Sequence, residues 1–228
     1  YIAMQDADDL WEPEKLVVQV EYLETHPSIG LVHCDCDGID EQGRTFVRWT
    51  NSGRKEELYL LFTQGHAVGA FSAMFRRELL DKSGLFDEDF AKAGLEDIDF
   101  WNRLSEITTF HCLPTPLVQH RVHRHSSCQT LEQTSVPLEH RNLMIAKLMT
   151  RYESDPARRR FLESEYVRYK SDLGKWFLKQ GMVSRGRREL RESVLLNLRG
   201  PMDIACLGRS ILRLIRSMLL VGDRLAGA

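Results

Sequence analysis

The sequence predicts an α/β layer followed by an all-helical region, and three observations carry that reading. Short apolar runs alternate with amphipathic stretches over the first 125 or so residues, as in packed strands and helices. From Pro137 onward the pattern is helical almost without interruption. Charge divides the same way: residues 1–150 hold 14 Lys and Arg against 24 Asp and Glu, giving −10, and residues 151–228 hold 17 against 9, giving +8. Two parts with such different charge have different surroundings. The division drawn from sequence is 1–130 for the α/β part and 131–228 for the helical part.

The elements follow in order. Tyr1 to Met4 is an apolar run that reads as a buried strand and ends in the acids Asp6, Asp8 and Asp9. Pro13 suits a first helical turn, and Leu16, Val17, Val20 and Leu23 share one face of a helix that His26-Pro27 stops. Ile29 to Cys36 alternates like a strand. Asp40-Glu-Gln-Gly43 is a turn, with Thr45 to Trp49 returning. Asn51 to Lys55 reads as a loop and Leu58 to Phe62 as a short helix. Ala70 to Phe75 reads as a buried strand and Arg76 to Lys82 as a helix. A helix opens at Glu96-Asp97, its acids placed where the helix dipole favours them. Phe110 to Leu113 and Leu117 to Val122 read as two strands around Pro114 and Pro116. Breaks near Pro156, Gly181, Gly200-Pro201 and Gly222 divide the helical region into hairpin-like pieces.

Composition sets limits. With 43% apolar and 28% charged residues the chain is that of an ordinary globular protein. No apolar run is long enough to span a bilayer. Five cysteines without framework spacing fit a reducing compartment. Cys34-Asp-Cys36 lies within a strand pattern and reads as buried thiols, because no second pair lies at zinc spacing. The tail is basic without aromatic interleaving, which gives no support to nucleic-acid binding.

Three segments can carry chemistry. In an open α/β sheet, ligands bind beyond the carboxyl ends of strands. Asp6 and Asp8 lie there, and in extended backbone both point to one face. Such a pair either serves one hard cation with a substrate's phosphates or is a solvated acidic turn; Asp9 points away and is free to cap the next helix. Glu96-Asp97 is either a helix-opening pair or the source of a general base. Gln119-His120-Arg121-Val122-His123-Arg124-His125 offers a metal-ligating imidazole and a phosphate-pairing guanidinium, or a polar loop.

The order of these segments resembles the family 2 glycosyltransferases, inverting enzymes of the GT-A fold. The resemblance is carried by Tyr1-Ile-Ala-Met-Gln-Asp-Ala-Asp-Asp-Leu-Trp-Glu-Pro-Glu-Lys-Leu, Phe75-Arg-Arg-Glu-Leu-Leu, Gly84-Leu-Phe-Asp-Glu, Leu95-Glu-Asp-Ile-Asp-Phe-Trp-Asn-Arg-Leu and Arg121-Val-His-Arg-His-Ser, within residues 1–127. It implies a partial GT-A domain, a Rossmann-like mixed sheet flanked by helices. Asp6 and Asp8 match the Asp-x-Asp that holds Mn²⁺ or Mg²⁺ against the donor diphosphate. Asp97 matches the catalytic base, and His123 a histidine that completes the metal site in some members. Arg121 is placed either to contact phosphate or to order the loop. Gln5 departs from the apolar residue common at that place.

The resemblance further implies a nucleotide-diphospho-sugar donor, expected to be a UDP-sugar, and a glycan or lipid-linked acceptor. Bacterial cell-surface polysaccharide or glycolipid synthesis in the cytoplasm, at the inner face of the membrane, is the expected setting. The family's nucleotide-binding βα units are expected upstream of Tyr1, so residues 1–228 alone are expected to show no turnover. A non-catalytic scaffold on a degenerate transferase fold is the alternative, disfavoured by the intact acids at 6, 8 and 97. A nucleotidyltransferase fits the Glu-Asp helix start and the Arg-Val-His segment less well. The stretch 205–228, with arginines opposite Ile211, Leu212, Ile215, Leu219 and Leu220, either contacts a membrane peripherally or packs on preceding helices.

Overall fold

The computed structural model describes residues 1–50, 68–123, 136–200 and 204–225. The expected loop at Asn51–Lys55, the short helix at Leu58–Phe62, and Arg124, His125 and Cys128 lie outside the described residues. Two compact units are present, Tyr1–Asn142 and Leu143–Ala228.

The first unit is a mixed sheet with helices on both faces. Its strands are β1 (Ile2–Ala3), β2 (Leu10–Trp11), β3 (Ile29–Ile39), β4 (Thr45–Trp49), β5 (Met74–Phe75) and β6 (Thr109–Arg121). They lie in the order β1-β5-β3-β6-β2, with β4 also on β3. Among the described residues, only β3 and β6 run parallel; the remaining pairs are antiparallel. β3 is buried along nearly its whole length, as a strand covered on both faces must be. Leu31 packs with Phe75, Phe100, Trp101 and Leu104. Its neighbour Val32 points the other way and packs with Leu23, Met74 and Leu117. Helix α1 (Lys15–Thr25) thus covers one face, while α2 (Leu80–Ser83) and α3 (Glu96–Ser105) are the remaining α-helices before β6 among the described residues. This mixed sheet with flanking helices, followed by a helical region, is the architecture the sequence predicted.

Three details differ from expectation. The two strands expected around Pro114 and Pro116 are one strand, because pairing jumps from Cys34↔Leu113 to Asp35↔Pro116. Residues 114 and 115 bulge outward and are exposed, so Pro114 need donate to no ladder. The run Ala70 to Phe75 is a 3₁₀ turn over Ala70–Ser72 and then β5; Ser72 Oγ donates to the Gly69 carbonyl at 2.7 Å and closes the turn locally. The helix expected from Arg76 begins instead as a 3₁₀ turn at Arg77–Leu79 before α2, since Arg76 stays extended and ties its guanidinium to the carbonyls of Leu23 and Ile29 at 2.6 and 3.0 Å.

The helical region consists of α4 (Val136–Arg151), α5 (Pro156–Lys179), α6 (Val183–Arg199) and α7 (Ile204–Leu225). Asp155 caps α5, accepting from the amides of Ala157 and Arg158 at 3.1 Å, with Pro156 at the first turn. α5 and α6 approach closely at a glycine pair. A Cβ at Gly174 would lie 2.6 Å from Leu190 Cγ, and one at Gly186 would lie 2.9 Å from the Gly174 carbonyl oxygen. Among the described residues, no helix is long and apolar enough to cross a membrane.

Candidate active site

The acidic segment is not extended. Asp9 N donates to the Asp6 carbonyl at 3.3 Å, which folds Asp6–Asp9 into a turn. The face-sharing expected of Asp6 and Asp8 in a strand is therefore replaced by a turn geometry. β2 then pairs Leu10 with Gln119 and Trp11 with Val118. That register brings the turn to the end of β6, where His120, Arg121 and His123 lie.

Asp8 and His123 meet there. His123 Nε2 and Asp8 Oδ2 are 2.9 Å apart, with side chains 23% and 45% exposed, so both are reachable by a ligand. The hydrogen bond from His123 holds the Asp8 carboxyl below its usual range. Asp6 is exposed at the surface, yet the protein packed around it pushes its carboxyl up. The charges of Asp9, Asp8 and Glu96 push the same way, against His120. Glu96 opens α3, so the start of that helix adds its charge to the acidic turn. The turn thus carries more negative charge than its histidines offset.

Asp9 does not cap α1. It is 3% exposed and accepts from His120 Nδ1, at 2.9 and 3.0 Å to its two oxygens, and from the Arg121 amide at 2.8 Å. α1 instead starts after Glu14 with no side-chain cap. His120 stacks on Phe71, with ring centroids 4.4 Å apart and 12° between planes. Burial pulls the His120 imidazole down, but the Asp9 hydrogen bond and the surrounding acids outweigh it, and the net shift is upward. Trp11 Nε1 donates to the Phe71 carbonyl at 3.1 Å, and Lys15 Nζ lies 4.1 Å over the Trp11 ring. Sequence reading missed Asp9 and His120 as a pair. The available signal was a third acid beside two candidate ligands and a histidine cluster far downstream.

Arg121 is committed largely to the backbone. Its Nε donates to the Asp8 carbonyl at 3.0 Å, and its Nη1 to the carbonyls of Asp40 and Glu41 at 3.0 and 3.4 Å. These bonds brace the acidic turn against the β3–β4 turn. Gly94, at φ 60°, delivers the chain into α3 through the left-handed region that glycine tolerates. Asp97 stands in the first turn of α3, partly buried, and its Oδ1 accepts from the Ile98 amide at 2.7 Å. Asp99, two residues on and round the far side of the helix, is buried and spent on Arg103 at 2.8 Å, which leaves Asp97 as the more accessible aspartate of the pair.

Asp8 and His123 offer a carboxylate and an imidazole, residue types that divalent cations take as ligands, and here they hydrogen-bond each other at 2.9 Å. Mg²⁺ is commonly held by one or two carboxylates with phosphate and water completing the shell. Among the described residues, no group of three or more His, Cys, Asp or Glu is placed to hold a metal ion. Cys34 and Cys36 are buried free thiols, as expected, with burial raising them to about 11 and about 12.

Comparison with known proteins bears on the amino-terminal part of the chain. Residues 1–84 match the family model described as glycosyl transferase family 2. The chain is 34% identical over 107 residues to an uncharacterized protein of Sinorhizobium fredii, covering 46% of this chain and 11% of that protein. It is 32% identical over 104 residues to an uncharacterized glycosyltransferase of Methanocaldococcus jannaschii, covering 45% of this chain and 35% of that protein. The matched stretch is therefore well under two thirds of either relative. Through its amino-terminal 84 residues, the chain is similar to the family 2 glycosyltransferases.

Proposed function

We propose that this chain supplies the metal-holding and acceptor-side part of an inverting glycosyltransferase. The reaction moves a sugar from a nucleotide-diphospho-sugar, a UDP-sugar in the first instance, to a hydroxyl of a glycan or lipid-linked acceptor. The setting is cell-surface polysaccharide or glycolipid synthesis on the cytoplasmic side. The observation that carries this reading is the approach of Asp8 to His123 across 115 positions of sequence, beside an acidic turn with excess negative charge.

Asp8 and His123, with Asp6 beside them, would hold Mn²⁺ or Mg²⁺. When bound, such a cation neutralises charge developing on the leaving diphosphate. Asp97 accepts the proton of the acceptor hydroxyl as that oxygen attacks the anomeric carbon from the side opposite the diphosphate, which inverts configuration. Asp9 and His120 hold the acidic turn at the end of β6. The bonds from Arg121 to the carbonyls of Asp8 and Asp40 support loop ordering as its role. The test is a panel of nucleotide-sugar donors assayed with Mn²⁺ and with chelator on a protein that joins this chain to a family nucleotide-binding half. Transfer from one donor, abolished by chelator, is expected; transfer that survives chelation contradicts metal dependence.

A further inference from the structure

Helix α7 inverts the usual arrangement of a surface helix. It buries small or polar side chains: Cys206, Ser210 and Ser217 are at most 1% exposed. These groups are satisfied within the helical unit. Ser210 Oγ donates to Ser171 Oγ at 2.7 Å and lies 3.1 Å from Ser193 Oγ, and Arg187 Nε donates to Ser217 Oγ at 3.2 Å. The opposite side is apolar. Ile204, Ile211, Leu212 and Ile215 are 75%, 41%, 50% and 49% exposed. Spacings of three, four and seven put them on one stripe, and Gly208 between them adds nothing polar. Leu195 and Leu198 of α6 are exposed as well. Single exposed apolar residues need no explanation, but a stripe of them marks an interaction face.

The margins of that face are cationic. Arg209 and Arg216 are exposed beside it, whereas Arg213 turns inward to Ser171 and Asp172. Beside Leu195, a surface hollow is lined by Arg187, Arg188 and Arg191 together with Ser184 and a single acid, Glu192. We propose that α7, with the adjoining surface of α6, lies in the interface of an anionic lipid bilayer. The isoleucine stripe enters the acyl boundary, and the arginines meet headgroup phosphates. Charge selects this occupant. A second copy would bring the same positive face and repel it, while residues 151–228, at +8, gain from an anionic surface. The inference rests on the helical unit alone and stands apart from the sugar-transfer reading.

Flotation of the 228-residue chain with phosphatidylcholine vesicles, with and without phosphatidylglycerol, tests it. The chain is expected to float with the anionic vesicles and to dissociate as salt rises. The double substitution Ile211→Glu with Ile215→Glu should lower the bound fraction by on the order of tenfold, with an unchanged melting profile because both side chains are exposed. Arg209→Gln with Arg216→Gln should weaken binding to anionic vesicles alone. Absence of flotation, or equal flotation of the Glu variant, overturns the proposal. So does a dimer in light scattering that the Glu variant dissolves while no vesicle binds.

Discussion

Both units bury charged groups, but they dispose of them differently. In the helical unit, Lys170 bonds Glu189 at 2.8 Å and Glu192 at 2.9 Å, with Lys170 and Glu189 each 6% exposed. Burial lowers the lysine, but the two glutamates outweigh it and the net shift is upward. The buried serines nearby bond one another and the Val167 carbonyl. The buried Lys170 and Glu189 thus have their answer inside the unit. In the α/β unit, Asp9 is answered by His120 and Arg121, but Asp6 and Asp8 remain at the surface beside Glu96 with one histidine reaching Asp8. The difference separates a structural network from a site. A buried ion pair that closes on itself holds helices together, whereas an accessible surplus of one sign waits for a ligand.

The largest effect should come from Asp97→Asn. Loss of a general base costs about 10²–10⁴ in turnover, while Mn²⁺ binding should persist because Asp97 lies outside the Asp8–His123 pair. Turnover equal to wild type would remove Asp97 from the chemistry. Next is Lys170→Ala. Leaving Glu189 buried without its cation should cost about 3 kcal/mol in denaturant unfolding and leave Mn²⁺ affinity unchanged. A change in affinity would break the contrast drawn between the units. Asp9→Asn should do the reverse, lowering Mn²⁺ affinity about 10–100-fold, as loss of a group that orients metal ligands does.

A further test concerns Lys15, which is fully buried, bonds Gln19 at 2.7 Å and is lowered by burial to about 8 from an ordinary 10.5. Between those values the unfolded chain binds the proton that the folded chain has released, so stability should rise with pH across that window. Lys15→Met should abolish this rise in thermal unfolding measured from pH 7 to 10. An unchanged pH slope would show that another group causes it.

Much of this was legible in the sequence because it depends on local pattern. The alternation of Ile29 to Cys36, the Asp40–Gly43 turn and the helix at Glu96 emerge as read. Elements decided by distant partners were not legible. The prolines at 114 and 116 suggested two strands, and only the offset against β3 reveals one strand with a bulge. The apolar run at Ala70 read as a strand because nothing in its composition announces the Ser72–Gly69 bond. The acidic turn was read in extended form, and Asp9 as a cap. The partners that redirect it lie 111 and 112 positions away, and the two-residue strand β2 that brings them together is too short to show a period. Asp6, Asp8 and His123 were named from their order along the chain, and the fold brings Asp8 and His123 together.

The most direct test of the account is Mn²⁺ binding followed by electron paramagnetic resonance, comparing wild type with Asp8→Ala and His123→Ala. The account predicts saturable binding to wild type that each substitution weakens by at least about tenfold. Wild type that leaves the Mn²⁺ signal unchanged, or variants that bind as wild type does, would contradict the reading of the Asp8–His123 pair as a metal seat.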